Sequence, residues 1–191
     1  MELVIRGGIS DRTGEPIEVG ISGSLISAVT TDSLPAAEHE ISAGGCMISP
    51  AFIEPHFHLE NALLWDGTIN QSGTLEEAIE LYAEIKIDLT TDDIVRRAGE
   101  VVHTAVAKGT LWLRSHVDID HIAKLRILEG VVAAREAYGD FIDIQLVAFP
   151  QLGMARNPKA VDAMWQALEQ GCDLVGGMPH GERDMDDAAH H

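Results

Sequence analysis

Basic residues are scarce in this chain. Thirteen Lys and Arg stand against 31 Asp and Glu, a formal charge of -18 at neutral pH. Phosphate contacts need a basic face, so this balance excludes nucleic acid as the natural partner and argues against an anionic membrane surface. No apolar stretch approaches the ~20 residues that span a bilayer. The opening Met1-Glu2-Leu3-Val4-Ile5-Arg6 is acidic and too short for a secretory signal, so a cytoplasmic location is the default expectation. There are two cysteines, Cys46 and Cys172, far apart and without a CxxC partner. They exclude a disulfide framework and read as small buried residues. Aromatic residues make up only 5%. Trp65 and Trp112 read as packing residues rather than substrate platforms.

What is present is enough for a core: 46% of 191 residues are hydrophobic, fitting one domain or a domain with a small appendage. The pattern changes near residue 50. Before it, Leu3 to Arg6, Ile17 to Ile21 and Leu25 to Val29 are short alternating segments broken by Gly and Ser, the signature of a small antiparallel meander. After it, helices can be placed by their ends. Thr74-Leu75-Glu76-Glu77 is a capping box opening a helix to about Ile87. Thr90 or Thr91 with Asp92-Asp93 starts a second, closed by Lys108-Gly109. A third is expected from about Ile122 to Ala137, and a fourth from about Pro158 to Gln170. Between them lie compact apolar runs: Met47 to Ile53, Thr110 to Leu113, Ile142 to Phe149, and Leu174-Val175.

Apolar runs separated by helices look like parallel strands buried on both faces. The expected class is α/β: four β/α units, half of an eight-stranded TIM-type barrel, with a doubly wound sheet as the alternative. Each run ends on a group capable of chemistry. Pro55-His56-Phe57-His58-Leu59 follows the first, and histidines at i and i+2 on extended chain point to one side and can share a cation. His116 and Asp118 follow the second, Gln151 the third, and His180 the fourth. In a β/α barrel the site forms on this C-terminal rim. Blander readings stay open: His116 as a satisfied core histidine, Asp118 bonding loop amides, His180 solvated and idle. His190 and His191 read as terminal residues or a tag remnant.

The stretch Ile48 to Leu59 resembles the first metal-binding strand of the amidohydrolase superfamily. Asn70-Gln71-Ser72-Gly73-Thr74-Leu75, Arg114-Ser115-His116-Val117-Asp118 and Val147-Ala148-Phe149-Pro150-Gln151 look like its cytosine deaminase branch. The resemblance implies that residues 1–49 are the N-terminal part of a small β-sandwich and residues 50–191 the first four β/α units of the barrel. It implies that His56 and His58 are metal ligands, that Gln151 hydrogen-bonds the amide-like edge of a heterocycle, and that the Leu75 carbonyl helps hold the ring. His116 and His180 match family histidines without a firm role. One divalent metal, Fe or Zn, is implied, because Gly176 to His180 contains no lysine of the kind that bridges two metals. The implied reaction is hydrolytic deamination, by water activated on the metal, of cytosine or a related ring: isocytosine, isoguanine, a triazine amine or a creatinine-like ring. A homo-oligomeric full-length protein is implied as well. One departure stands out: Glu60 occupies a position where the family often has Asp.

The family's further ligands and its acid/base glutamate lie on later strands. A complete barrel typically takes ~250 residues, so the chain alone is expected to be inactive, with two histidines, no nearby carboxylate and weak metal binding. Three readings remain: the N-terminal half of a deaminase, one subunit of a split enzyme, or a non-catalytic half-barrel binding or assembly module.

Overall fold

The apolar run from Met47 to Ile53 does not form one strand. Pro50 has no N–H to give to a ladder, and the chain changes sheets around it. In this computed structural model, which describes residues 1–64, 70–155, 159–182 and 184–189, the chain falls into two units, Met1–Pro50 and Ala51–His191. Trp65, Pro158, His190 and His191 lie outside the described residues.

The first unit is a five-stranded mixed sheet. Strands β1 (Leu3–Ser10), β2 (Pro16–Ser22) and β3 (Leu25–Thr30) form the expected antiparallel meander. Two short strands that the alternation did not announce, β4 (His39–Ser42) and β5 (Met47–Ile48), add in parallel to β1. The register of β1 shifts between Ile5 and Gly8, and Gly7 supplies the positive φ of 65° that a side chain would resist.

The second unit holds a four-stranded, all-parallel sheet in the order β6 (Phe52–Phe57), β7 (Thr110–Asp118), β8 (Asp143–Phe149), β9 (Leu174–Val175). Helices α1 (Leu75–Ile85) and α2 (Thr91–Ala107) lie between β6 and β7 in the chain. Helix α3 (Arg126–Tyr138) joins β7 to β8, α4 (Lys159–Glu169) joins β8 to β9, and α5 (Met185–Ala189) follows. The caps read from sequence form: Thr74 accepts the Glu77 N–H and Thr90 the Asp93 N–H. Helix α3 starts later than its apolar pattern suggests. The Asp120 carboxylate accepts the Ile122 and Ala123 N–H groups at 2.8 and 3.0 Å, holding that stretch as a turn.

The core lies on one side of this sheet. Leu113, Ser115 and Val117 of β7 are buried, as are Ile94, Ala98 and Val102 of α2 and Ile127, Leu128 and Val131 of α3. Helices α2 and α3 approach closely because Gly130 has no side chain; a Cβ there would sit 2.9 Å from that of Ile94. Burial on both faces, expected from the apolar runs, holds along the middle of β8 but not on β6 and β7. Phe52, Ile53 and Trp112 are 61, 66 and 45% exposed, because the helices pack against one face only.

Candidate active site

Parallel neighbours run ~4.8 Å apart, so residues at equivalent heights on β6 and β7 meet. His56 lies inside β6 rather than beyond its end, and His58 is the first residue after it. The i, i+2 spacing puts both rings on one side, 5.4 Å apart between centroids. His116 of β7 stacks on His56 at 4.0 Å and lies 5.8 Å from His58. Phe149, at the end of β8, sets its ring against both His58 and His116. Burial holds the His116 imidazole below its usual pKa, and positive charge on His56 and His58 would add to that. This favours the neutral form of His116, which has a lone pair to donate.

A carboxylate stands behind this cluster, contrary to the expectation of none nearby. Glu60, in a single 3₁₀ turn over Leu59–Asn61, is fully buried. Its Oε1 lies 3.6 Å from His58 Nδ1 and accepts the Asp118 N–H at 3.1 Å. Burial works against charge on the His58 ring, but Glu60 outweighs it and the imidazole pKa is raised. The turn is anchored from three directions. Leu59 N–H donates to Ser115 Oγ at 3.0 Å, and Arg97 donates to the Glu60 and Ala62 carbonyls at 2.8 and 2.5 Å. Arg97 is itself held by Asp93 at 2.7 Å.

Among the described residues the Asp118 carboxylate bonds no loop amide. Its carboxylate is buried and pairs with Lys86 Nζ at 2.6 Å, and Lys86 also pairs with Asp120. Burial pushes the Asp118 carboxyl up to about 6, against the opposing charge of Lys86. Neither Lys86 nor Asp120 announced itself in the sequence. Glu60 could have been suspected from the His-x-His-x-Glu spacing alone.

Leu75, Gln151 and His180 come together elsewhere. They line one cavity of about 260 Å³, with Glu76, Ile79 and Met178 also on its wall. Leu75 opens α1, Gln151 follows the end of β8 and His180 follows β9. Gln151 Oε1 is buried with no partner among the described residues, a free acceptor aimed where a ligand could donate. The loop bearing Gln151 is tied down by Glu182, which accepts the Met154 and Ala155 N–H groups at 2.6 and 3.2 Å. Gly153, with φ of 82°, leaves room for that carboxylate. The three histidines are not among the residues lining this cavity.

Among the described residues, no group of three or more His, Cys, Asp or Glu side chains is arranged to hold a metal ion. The donors on hand are two imidazoles on one side of a strand end. Their nitrogen chemistry suits Zn or Fe, and Nδ1 of His58 is a buried polar atom without a partner among the described residues.

Parallel β/α units with histidines at the strand ends define a class, and sequence comparison agrees: the chain is a homologue of amidohydrolase-superfamily enzymes and matches their N-terminal halves. It is 30% identical to N-isopropylammelide isopropyl amidohydrolase of Pseudomonas sp. (strain ADP) over 192 aligned positions, covering 96% of this chain and 47% of that enzyme. It superposes on 5-methylcytosine deaminase from Klebsiella pneumoniae, liganded with 5-fluorocytosine, with a TM-score of 0.90 at 31% identity, covering 98% of this chain and 46% of that one. N-isopropylammelide isopropylaminohydrolase from Burkholderia multivorans gives a TM-score of 0.76 at 28% identity, covering 93% and 45%. The chain thus spans about half the length of the relatives it matches. No family model matches it. Among the described residues no helix is long and apolar enough to cross a membrane.

Proposed function

We propose that this chain carries the first four β/α units of an amidohydrolase barrel, with residues 1–49 as part of the accompanying β-sandwich, and serves hydrolytic deamination of an amino-substituted nitrogen heterocycle. In the net reaction, oxygen from water replaces the amino group on a ring carbon and ammonia leaves. The observation that carries the reading is a pair of residue groups: the His56–His58–His116 cluster in and just past the last residues of β6 and β7, and the cavity lined by Leu75, Gln151 and His180.

In this reading His56 and His58 hold one divalent ion, Zn or Fe, which when bound supplies activated water at neutral pH. Gln151 offers the substrate both a donor and an acceptor, which suits a lactam-type ring edge, and the Leu75 carbonyl takes a ring N–H or amino group. Glu182 keeps the Gln151 loop from collapsing into the cavity. The relatives described above carry the names of 5-methylcytosine and N-isopropylammelide, and cytosine is the leading substrate, followed by triazine amines. The proton-transferring carboxylate and the remaining ligands come from the other half of the barrel, so residues 1–191 alone turn over no substrate.

The test has two parts. The chain is titrated with Zn²⁺ against a chromogenic chelator, and the His56→Ala/His58→Ala double variant is expected to abolish uptake; unchanged uptake refutes the ligand assignment. The product of the whole reading frame is then assayed for ammonia release from cytosine and amino-triazines. Gln151→Ala should raise KM with metal content unchanged, and loss of metal in that variant would remove Gln151 from substrate binding.

A further inference from the structure

We propose that Glu60 is a positioning residue for the metal site: its carboxylate holds the Nδ1 edge of His58, so that the Nε2 lone pair faces the cation. The proposal rests on the reading of His56 and His58 as ligands.

A carboxylate removed from water is costly unless it is paired and hydrogen-bonded. Glu60 is 0% exposed. One oxygen accepts the Asp118 N–H. The other, Oε2, is buried without a partner among the described residues, and so is His58 Nδ1. The His58 nitrogen stands 3.6 Å from the Glu60 Oε1, a few tenths of an ångström beyond a hydrogen bond. That oxygen is the one that accepts the Asp118 N–H, so the unmatched His58 Nδ1 sits at the edge of contact with a buried carboxylate that is itself short of one partner.

The buried Tyr82 hydroxyl and Arg97 Nη2 also lack partners among the described residues, so neither is bonded to Glu60. Lys86 is engaged by Asp118 and Asp120. Arg97 spends its described bonds on the Glu60 and Ala62 carbonyls and on Asp93. Among the described residues, His58 is the one cationic partner within ion-pairing distance of the Glu60 carboxylate. The backbone carrying Glu60 is clamped by Arg97 and by the Leu59–Ser115 bond, so the carboxylate cannot follow the ring if it swings. Full burial also keeps Glu60 away from any substrate, which rules out a part in proton transfer to the leaving group. Ligating histidines generally donate their second N–H to such a carboxylate, which fixes the tautomer and strengthens the ligand.

The test reads two quantities on the purified chain, without activity. The first is the His58 tautomer in metal-free protein, from long-range ¹H–¹⁵N correlation at alkaline pH where the imidazoles are neutral. The second is Zn²⁺ affinity by chelator competition. Wild type is expected to hold His58 as the Nδ1–H tautomer. In Glu60→Gln an amide oxygen in the place of Oε1 still serves the Asp118 N–H and still faces His58 Nδ1 but carries no charge, so a purely structural role is preserved. The proposal expects the Nδ1–H tautomer to lose part of its preference and Zn²⁺ affinity to fall about 10- to 100-fold. Should Glu60→Gln fail to fold, Glu60→Asp keeps the charge but sets it one methylene further from His58, and the same two readings apply. An unchanged tautomer and unchanged affinity in a folded variant overturn the proposal. Zn²⁺ uptake that depends on His56 and His58 but not on residue 60 also overturns it and leaves the ligand reading standing. No uptake by wild type, with a tautomer that still follows residue 60, removes the ligand reading and reduces Glu60 to an anchor for His58.

Discussion

Replacing Lys86 with Met should destabilise the second unit by about 3–5 kcal/mol at neutral pH, the usual cost of removing one partner from a buried ion pair. Lys86, Asp118 and Asp120 are 1, 2 and 2% exposed, so no solvent screens the two carboxylates left behind. Asp120 keeps the Ile122 and Ala123 N–H bonds, but Asp118 Oδ2 loses its described partner and Oδ1 already has none among the described residues. The pH dependence follows from Asp118, whose carboxyl is pushed up to about 6 from an ordinary 3.8 by burial. The folded chain therefore binds this proton more tightly than the unfolded chain, and the group's contribution to stability rises as pH falls from about 6 to about 4. Losing Lys86 raises the folded value further, so the deficit should be largest above pH 6 and shrink in acid. Urea titration followed by tryptophan fluorescence isolates the second unit, because Trp65, Trp112 and Trp165 all lie after residue 50. At about 2 kcal/mol per molar urea, the midpoint should move by roughly 2 M. A deficit below about 1 kcal/mol, the value of an exposed pair, or one that grows on acidification, refutes the account.

Gly130→Ala should cost about 1–3 kcal/mol, since the new Cβ meets Ile94 at 2.8–3.0 Å where α2 and α3 touch; the same urea titration reads it, and a neutral result means the helices can part cheaply. Thr74→Ala removes the acceptor for the Glu77 N–H at the start of α1 and should cost about 1 kcal/mol. Because Leu75 and Ile79 line the Gln151 cavity from α1, hydrogen exchange in the first turn of that helix should speed up, and unchanged exchange would show that the cap does not hold it.

What could be read from the sequence is whatever depends on near neighbours in the chain. The capping Thr residues and the shared side of His56 and His58 are local geometry, and local geometry travels with the residues. The placement of Gln151 and His180 at strand ends was read from β/α connectivity, since consecutive parallel strands deliver their following loops to the same end, whereas Leu75 came only from the resemblance to the family. The strand break near Pro50 was legible in part: the missing N–H is visible, but that Met47–Ile48 would pair with β1 depended on a partner some forty residues away. The late start of α3 was hidden because its apolar periodicity runs on through a stretch that the Asp120 side chain holds as a turn.

By itself the sequence determined the β/α alternation, the acidic surface and the pair of imidazoles on one strand end, because each follows from composition or from residues within a few positions of one another. Only the tertiary structure decided that His116 stacks on His56, that Lys86 is locked between Asp118 and Asp120, and that Glu60 lies buried against His58. The first two sets of contacts join residues 32 to 60 positions apart, Glu60 is held in place by the Asp118 N–H 58 positions away, and nothing in a linear pattern states which of 31 acidic side chains will lose its water. Desolvation made that choice: the carboxylates enclosed by β6, β7 and the helices had to find partners, and the partners they found surround the candidate metal site.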